Sequence, residues 1–349
     1  MPWSKIEANC IEPDFLKDCQ ETGRLISYPD AIREGIRQAL ALDPSVFIMG
    51  QGVDDPGGMF GAVRGLQEEF GCQRVFDTPL AETALTGVAV GAAIGGMRPV
   101  YFHNRPDFLL LAMDQLVNHA SKWHFMFGGH VNVPLVIWAC IGRGWGSAAQ
   151  HSQALQGLFF HVPGLKLIMP STCYDAKGLM LAAVKDNNPV LIMDHRFNFK
   201  QKGIVPENMY TLPIGKGVVR RSGKDVTVVA VSHLVVDAFN AAQDLADQAV
   251  DVEVIDPRTL RPLDKELILD SVAKTGRLVI ADTGWKTGGV TAEISAIAAQ
   301  EAFSFLKAPI ERVACPDVPT PAGYTLEEAF YIGKPEIKTA ILKVVNFNG

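Results

Sequence analysis

Short runs of apolar residues alternate with longer segments of helical periodicity, beginning at about residue 29. The segment YPDAIREGIRQALAL places one face of a helix at Ile32, Ile36, Ala39 and Leu40. The runs SVFIMG, MRPVYFH, VPLVIWAC and PVLIMDH are continuous and apolar, as in strands buried on both faces. Between them, FLLLAMDQLVNHASKWHFMF predicts one long helix, and STCYDAKGLMLAAVKDN predicts a helix capped by Ser171 or Thr172. The pattern therefore predicts a parallel sheet covered by helices.

The same alternation starts again near residue 214, where DVTVVAVS, VDVEVID, RLVIAD and IERVAC are typical of strands separated by helices. The intervening KQKGIVPENMYTLPIGKG has no clear period and mixes Pro, Gly and Lys, which favours a linker with an edge hairpin. We therefore expect an α/β fold with two doubly wound domains. The predicted limits are an N-terminal extension over 1–28, a first domain over 29–199, a linker over 200–213 and a smaller second domain over 214–349.

The composition narrows the class of protein. A chain of 349 residues with 48% hydrophobic residues can bury two cores. Its 32 basic and 38 acidic residues give a net charge of -6 without a basic cluster, which argues against nucleic-acid binding. The six cysteines lack CxxC spacing, so we expect a reducing cytoplasm rather than a zinc knuckle or a disulfide framework. With neither a signal-peptide pattern nor an apolar run of membrane-spanning length, secretion and membrane insertion are not expected.

Common nucleotide-binding motifs are not found. Neither half contains GxGxxG, and GVVRRSGKD places five residues between Gly217 and Gly223 and ends in Asp. A P-loop requires four residues at that point and a Ser or Thr after the lysine. These differences argue against a Rossmann dehydrogenase and a P-loop nucleotidase.

Two side chains are candidates for catalysis. Glu82 in AETALTG precedes the small-residue run VAVGAAIGG, where it could cap a helix or act as a proton partner for a flat ligand. His151 in AAQHSQ follows the loop after VPLVIWAC, and ligands bind beyond the carboxyl ends of strands in open α/β sheets. The alternative for His151 is a structural histidine.

Five blocks of sequence resemble one family in order and spacing: FDTPLAETALTGVAVGAAIGGMRPV, DFLLLAMDQLVNHASKWHFMFGG, AAQHSQ, PGLKLIMPSTCYDAKGLMLAAVKDNNPV and VEVIDPRTLRPLD. They resemble the beta subunits of thiamine-diphosphate-dependent 2-oxoacid dehydrogenases, which act on pyruvate, branched-chain 2-oxoacids or acetoin and belong to the transketolase-like superfamily. The resemblance extends over nearly the whole chain. It implies a pyrimidine-binding first domain and a transketolase-type C-terminal domain.

The resemblance implies a role for each matching residue. Glu82 corresponds to the glutamate that hydrogen-bonds the aminopyrimidine ring nitrogen of the cofactor and promotes activation of its thiazolium carbon. Phe108 corresponds to the aromatic residue that packs on the pyrimidine ring, although a core position is the local alternative. His151 corresponds to a histidine that assists proton transfer or acyl transfer over the thiazolium.

Cations and partners are implied in the same way. AAVKDNNPV resembles a potassium loop formed by Ala183, Val184, Asp186 and Asn188, whereas a helix C-terminus with an Asn cap is the local alternative. The chain has no GDG motif followed by an asparagine-rich metal-binding stretch. The resemblance therefore implies that a separate alpha subunit binds the diphosphate and magnesium, in an assembly of two alpha and two beta chains.

Three stretches depart from the family. Where it commonly has EFMTFNF, this chain has YFHNRPDF, which introduces His103 and Arg105; Arg143 and Trp145 enter the loop before QHSQ. After NNPV, LIMDHRFNF places His195 and Arg196 where the family more commonly has an acidic ENE run. All three changes add positive or hydrogen-bonding capacity. Arginine side chains suit carboxylates and phosphates, so we expect an anionic or polyhydroxylated substrate at His103, Arg105 and Arg143, although solvated loop charges are the alternative.

Three functions remain open from the sequence. The first is decarboxylation of a 2-oxoacid with acyl transfer to a lipoyl group, with a lipoyl acyltransferase as a further partner. The second is a two-component transketolase-like transfer of a two-carbon or acyl unit to a sugar or another anionic acceptor. The third is a scaffold without cofactor, which the joint presence of Glu82, Phe108 and His151 disfavours.

Overall fold

The computed structural model describes residues 24–55, 57–142 and 146–347. The chain divides into two compact units. The first comprises the described residues of Met1–Ile141 together with His161–Ile214. The second comprises the described residues of Gly142–Phe160 together with Gly215–Gly349. The described residues of the segment 142–160 thus group with the second unit, whereas the sequence-based limits assign this segment to the first domain; those limits remain a prediction.

The bounds of the regular elements are as follows. The strands are β1 Arg24–Ser27, β2 Val46–Gly50, β3 Val75–Phe76, β4 Arg98–His103, β5 Val136–Ile141, β6 Lys166–Ile168, β7 Val190–His195, β8 Lys202–Val205, β9 Val218–Arg221, β10 Val226–Ala230, β11 Val252–Asp256, β12 Thr259–Arg261, β13 Leu278–Trp285 and β14 Glu311–Cys315. The α-helices are α1 Tyr28–Leu42, α2 Leu66–Phe70, α3 Glu82–Ile94, α4 Trp123–Met126, α5 Gln156–Phe160, α6 Cys173–Lys185, α7 Leu234–Ala246, α8 Lys265–Thr275, α9 Val290–Glu301, α10 Tyr324–Phe330 and α11 Lys334–Val345. Short 3-10 helices span Met59–Gly61, Pro106–Ala112, Arg196–Lys200 and Phe303–Phe305, and a π-helix spans Asp114–Ala120.

The first unit contains a parallel sheet in the order β6-β7-β5-β4-β2-β3. All residues of β2, β5 and β7 are buried, as the continuous apolar runs predict. Helices α1 and α6 pack against each other, and Gly35 lets the two backbones approach because a Cβ there would lie 3.2 Å from the carbonyl oxygen of Lys177. The predicted apolar face of α1 is confirmed, and Thr172 is the N-cap of α6.

The segment predicted as a linker contributes to the first unit. Its strand β8 pairs antiparallel with β1. Tyr210 and Leu212, which follow β8, belong to the main hydrophobic core of this unit. Burial of an aromatic ring and a leucine side chain stabilises the packing of this stretch against the first unit, which its Pro, Gly and Lys content does not predict.

The second unit contains a five-stranded sheet in the order β14-β13-β10-β11-β9. The four strands β14, β13, β10 and β11 are parallel, and β9 is an antiparallel edge strand. Helices α7 and α11 pack together on this sheet around a second apolar core. The α/β class with largely parallel sheets is therefore as predicted.

One element differs from the sequence-based prediction. The stretch expected to form one long helix is divided into the 3-10 helix Pro106–Ala112, the π-helix Asp114–Ala120 and the short α4. The amide of Ser121 donates to the carbonyl of Leu116, five residues back, so the turn is wider than in an α-helix. Apolar periodicity indicates which face is buried but barely distinguishes these turn widths, which depend on packing against α3. Within the described ranges, no helix has both the length and the apolar character to span a membrane.

Candidate active site

Glu82 is the first residue of α3. The helix begins without a side-chain cap at Ala81, so the exposed amides of its first turn favour a carboxylate. The Glu82 side chain is half-buried, and its charge acts on the phenol of Tyr101. A partly desolvated acceptor therefore stands at the amino end of a helix whose buried residues are Thr86, Ala89, Val90 and Ala93.

Two rings on β4 lie beside this first turn. Tyr101 and His103 are buried, with ring centroids 4.2 Å apart. Burial, and next the negative charge of Glu82, raise the pKa of Tyr101 to about 12, so its phenol keeps its proton. The helix and the strand are joined where the Thr86 hydroxyl lies 3.4 Å from Nε2 of His103.

His103 is neutral in the folded protein. Burial lowers the pKa of its imidazole to about 3. The sequence predicted positive or hydrogen-bonding capacity for the changes in this region, and a neutral imidazole offers the hydrogen bonding without the charge. The sequence could not reveal this, because a histidine near a strand end is equally compatible with a solvated, titrating ring.

Phe108 and Arg105 follow β4 at the carboxyl edge of the sheet. The amide of Phe108 donates to the carbonyl of Arg105 at 3.2 Å, and both side chains are half-buried. The Thr83 hydroxyl of α3 donates to the carbonyl of Leu111 at 2.6 Å. This bond joins the start of α3 to the 3-10 helix Pro106–Ala112, here called the Phe108 segment. Glu82 and Phe108 are thereby held in neighbouring elements of one unit. Arg143 lies outside the described residues.

The loop that the sequence predicts to bind potassium follows α6. The Arg98 guanidinium donates to the carbonyls of Val184 at 2.9 Å and Asp186 at 3.0 Å. Lys166 pairs with the carboxylate of Asp186, whose other oxygen accepts the Asn188 amide at 2.9 Å. The Ala183 carbonyl accepts the amide of Asp186 at 3.2 Å. In this arrangement the loop is already neutralised by two cationic side chains, and a potassium ion would share oxygens with them, so it fits poorly.

His151 belongs to the second unit. Its side chain is exposed, and its amide lies 3.4 Å from the carbonyl of Ala148, which has a φ of 58°. Just beyond, Gln156 at the start of α5 donates to the carboxylate of Asp282 on β13 at 2.8 Å. Burial raises the pKa of Asp282 to about 6, and the hydrogen bond from Gln156 opposes this shift. The His151 loop is thus fixed to the second sheet by a buried polar pair.

A groove of about 640 Å³ lies beside this loop. Gln150 and Gln153, on either side of His151, line it together with Trp285 and Val318. The Trp285 indole donates to the carbonyl of Val318 at 2.9 Å, which fixes the ring in the wall. The groove gives the exposed His151 a concave, mixed polar and apolar neighbourhood.

Asp194 was not a candidate from the sequence. It lies near the carboxyl end of β7, accepts the Tyr28 hydroxyl at 2.5 Å and accepts the Trp138 indole at 2.6 Å. Burial raises the pKa of this carboxyl to about 6. An acid that ends an apolar strand run is the signal that could have identified it.

Comparison with known proteins agrees with this architecture. Residues 24–202 match the transketolase pyrimidine-binding domain, and residues 215–337 match the transketolase C-terminal domain. The solved structure of a split gene transketolase, an inactive beta4 tetramer, shares the fold at a TM-score of 0.73 with 21% identity, over 92% of this chain and 98% of that chain.

Several relatives are more similar to this chain in sequence than that structure is. The chain is 40% identical to the acetoin:2,6-dichlorophenolindophenol oxidoreductase subunit beta of Bacillus subtilis, over 92% of this chain and 98% of that protein. It is also 40% identical to the 2-oxoisovalerate dehydrogenase subunit beta of Bacillus subtilis and to the pyruvate dehydrogenase E1 component subunit beta of Rickettsia felis, in each case over 93% of this chain and 99% of the relative. The chain therefore belongs to the transketolase-like family that includes the beta subunits of thiamine-diphosphate-dependent 2-oxoacid dehydrogenases. The predicted family is confirmed.

Proposed function

We propose that the chain is the beta subunit of a heteromeric enzyme that decarboxylates a 2-oxoacid and passes the acyl unit to a lipoyl group. The observation that carries the proposal is the half-buried Glu82 carboxylate at the amino end of α3, beside Tyr101 and His103. The dehydrogenase and oxidoreductase names of the relatives favour this function over transfer to a sugar by a two-component transketolase.

The residues of the first unit fit the pyrimidine half of thiamine diphosphate. When bound, this cofactor supplies a nucleophilic carbon and an electron sink for decarboxylation. Glu82 would hold a proton between its carboxylate oxygen and a ring nitrogen, and the half-buried Phe108 would pack on the ring face. Tyr101 and His103, both buried and uncharged, exclude water behind the carboxylate. His151 would assist proton or acyl transfer from its own loop.

An alpha chain is the expected partner, because the relatives are named as beta subunits. Several large apolar side chains around α3 and the Phe108 segment are exposed: Leu80, Val88, Leu110, Leu111, Phe125 and Met126. Surfaces of this kind are typical of stable protein contacts. We assign this surface to the alpha chain, which would also bind the diphosphate and its magnesium in an assembly of two alpha and two beta chains.

Two further parts of the proposal concern cations and location. Potassium at Ala183, Val184, Asp186 and Asn188 remains a prediction from family resemblance, which the contacts of Arg98 and Lys166 weaken. A cytoplasmic location agrees with free thiols at the described cysteines Cys72, Cys140, Cys173 and Cys315. A lipoyl acyltransferase would be the acceptor partner.

The function is tested in the complex with the alpha chain. The two chains are co-expressed, supplied with thiamine diphosphate and magnesium, and assayed for carbon dioxide release from a panel of 2-oxoacids. Acetoin oxidation with a dye acceptor and acyl transfer to a lipoyl domain are measured on the same preparation. We expect decarboxylation of at least one 2-oxoacid.

The Glu82→Gln variant tests the assigned residue. It keeps the side-chain shape but cannot accept a proton, so we expect turnover to fall by at least about a hundredfold while the complex still assembles. Glu68→Gln is the matched control, because Glu68 is an exposed acid in the first turn of α2. Full turnover of Glu82→Gln in an assembled complex would exclude the mechanism.

A further inference from the structure

Two arginines follow strands at the carboxyl edge of the first sheet. Arg105 lies two residues beyond β4, and Arg196 directly follows β7. Strand β5 lies between these two strands, so the two backbones are about 10 Å apart, two strand spacings. Arginine side chains are long enough to bring their guanidinium groups together across this gap. Glu82 and Phe108 lie at the same edge, because they follow β3 and β4 respectively.

The turn that carries Arg196 is well defined. His195, which ends β7, is buried, and its Nδ1 accepts the amide of Phe197 at 3.2 Å. The Arg196 guanidinium lies over the ring of Phe60, 4.7 Å from its centroid. A ring beneath a guanidinium stabilises its charge and limits its movement. The side chain is therefore positioned before any ligand binds.

The two guanidinium groups interact electrostatically. The pKa of Arg196 is lowered by burial and then by the positive charge of Arg105. The nearby Cys140 thiol has its pKa raised to about 12 by burial, so it stays neutral. The Asp194 carboxylate on the same strand as His195 directs its oxygens to Tyr28 and Trp138. Two like charges in a half-buried place repel each other. An anion bound between them would attract both guanidinium groups and offset that repulsion.

We propose that Arg105 and Arg196 together bind an anionic group, a phosphate or a carboxylate, on the part of the substrate remote from the reacting carbon. The inference rests on the proposed function and gives it a substrate class: a donor or acceptor that carries a second anionic group. It adds Arg196, one of the departures from the family noted in the sequence, to the predicted substrate residues His103, Arg105 and Arg143. His103 is buried and neutral, so in this group it offers hydrogen bonding and the two arginines supply the charge.

Anion binding is measured first, without reference to activity. The complex with the alpha chain is unfolded thermally in inorganic phosphate, in succinate and in sodium chloride of equal ionic strength. We expect phosphate or succinate to raise the unfolding temperature more than chloride does, and the anion with the larger effect identifies the group. The Arg105→Gln/Arg196→Gln variant should lose this increment. The control is Arg64→Gln, which removes an exposed arginine and should retain the increment.

The outcomes against the proposal are defined in the same experiment. Equal unfolding temperatures of the wild-type complex in all three salts would overturn it, and so would an undiminished increment in the double variant. Glutamine is shorter than arginine but retains hydrogen-bonding capacity without the charge, and both positions are only half-buried, so a folded double variant is expected. Its circular dichroism in chloride verifies this, and the single variants replace it if the spectrum changes.

Kinetics then connect the site with the substrate. KM is compared for 2-oxoglutarate and 2-oxopentanoate, which have chains of equal length and differ by the distal carboxylate. In the double variant we expect KM to rise at least about tenfold for 2-oxoglutarate and less than about twofold for 2-oxopentanoate. An equal rise for both would contradict the proposal. If the wild type decarboxylates no 2-oxoacid, the proposed function fails, and the salt experiment still decides whether the arginine pair binds anions.

Discussion

The hydroxyl of Thr86 lies 3.4 Å from Nε2 of His103, which joins the second turn of the Glu82 helix to the end of β4. Both side chains are buried. This contact holds α3, the helix that begins with Glu82, against the neutral imidazole of His103. The surroundings of Glu82 therefore contain a histidine that can hydrogen-bond but carries no charge.

Replacing His103 by Phe should change the pH dependence of stability. The pKa of His103 is about 3 in the folded state and near 6.5 when unfolded, so the unfolded state alone takes up a proton between these values. The stabilising contribution is complete above about pH 6.5 and is lost as the pH falls. Between about pH 7 and pH 5, the wild type should lose roughly 2 kcal/mol more unfolding free energy than His103→Phe.

Urea unfolding of both proteins at the two pH values measures this difference. His130→Ala removes an exposed histidine and serves as the control, because it should follow the wild type. Parallel pH profiles for wild type and His103→Phe would mean that the ring takes up a proton as readily in the folded protein as in the unfolded chain, and would contradict the lowered pKa.

Replacing Arg98 by Gln should loosen the loop after α6. The wild-type guanidinium joins the carbonyls of Val184, Lys185 and Asp186 and the side chain of Asn187. Losing these charge-assisted bonds should cost about 2 kcal/mol or more. The Arg98 guanidinium already supplies the positive charge that potassium would bring to this loop. The thermal stability of the wild type should therefore be the same in potassium chloride and in sodium chloride.

Thermal unfolding of the wild type and of Arg98→Gln in the two salts measures both the loss of stability in the variant and the salt dependence of the wild type. Stabilisation of the wild type by potassium over sodium would instead support an ion at Ala183, Val184, Asp186 and Asn188. Arg37→Gln, on the exposed side of α1, is the control for general loss of an arginine.

Replacing Gln156 by Leu should release the His151 loop. The change removes a donor to the buried Asp282 carboxylate and should cost about 1–3 kcal/mol. Turnover of the complex should fall with it if His151 takes part in transfer, whereas Glu82-dependent binding of thiamine diphosphate should be unchanged. Gln248→Leu is the control for stability, since Gln248 is an exposed glutamine of the same unit. An unaltered unfolding free energy in Gln156→Leu would show that the pair does not hold the loop.

Replacing Gly164 by Ala should destabilise the first unit. Gly164 has a φ of 88°, and a Cβ there would lie 1.9 Å from the carbonyl oxygen of Ser121. Relief requires backbone movement, so we expect a loss of at least about 2 kcal/mol in urea unfolding. Gly91→Ala on α3 is the matched control, because a Cβ there meets nothing within 4 Å and alanine favours a helix.

Much of the site could be predicted from the sequence. The motif around AETALTG identified Glu82 as a candidate proton partner, and the structure places it in the first turn of α3. The strand-following positions of Arg105, Phe108 and Arg196 could also be read from the apolar runs, because a chain leaves a parallel strand at a predictable edge. The pairing of Arg105 with Arg196 could not, since about ninety residues separate them and strand order is a property of the folded sheet.

The sequence by itself determined the α/β class, most strands and long helices, and the family, because these depend on local apolar periodicity and on motifs read residue by residue. Tertiary structure alone decided the charge state of His103, the division of the predicted 108–127 helix, and the use of Arg98 to hold the loop after α6. Each of these depends on desolvation or on contacts between distant segments, and neither is encoded in the spacing of neighbouring residues.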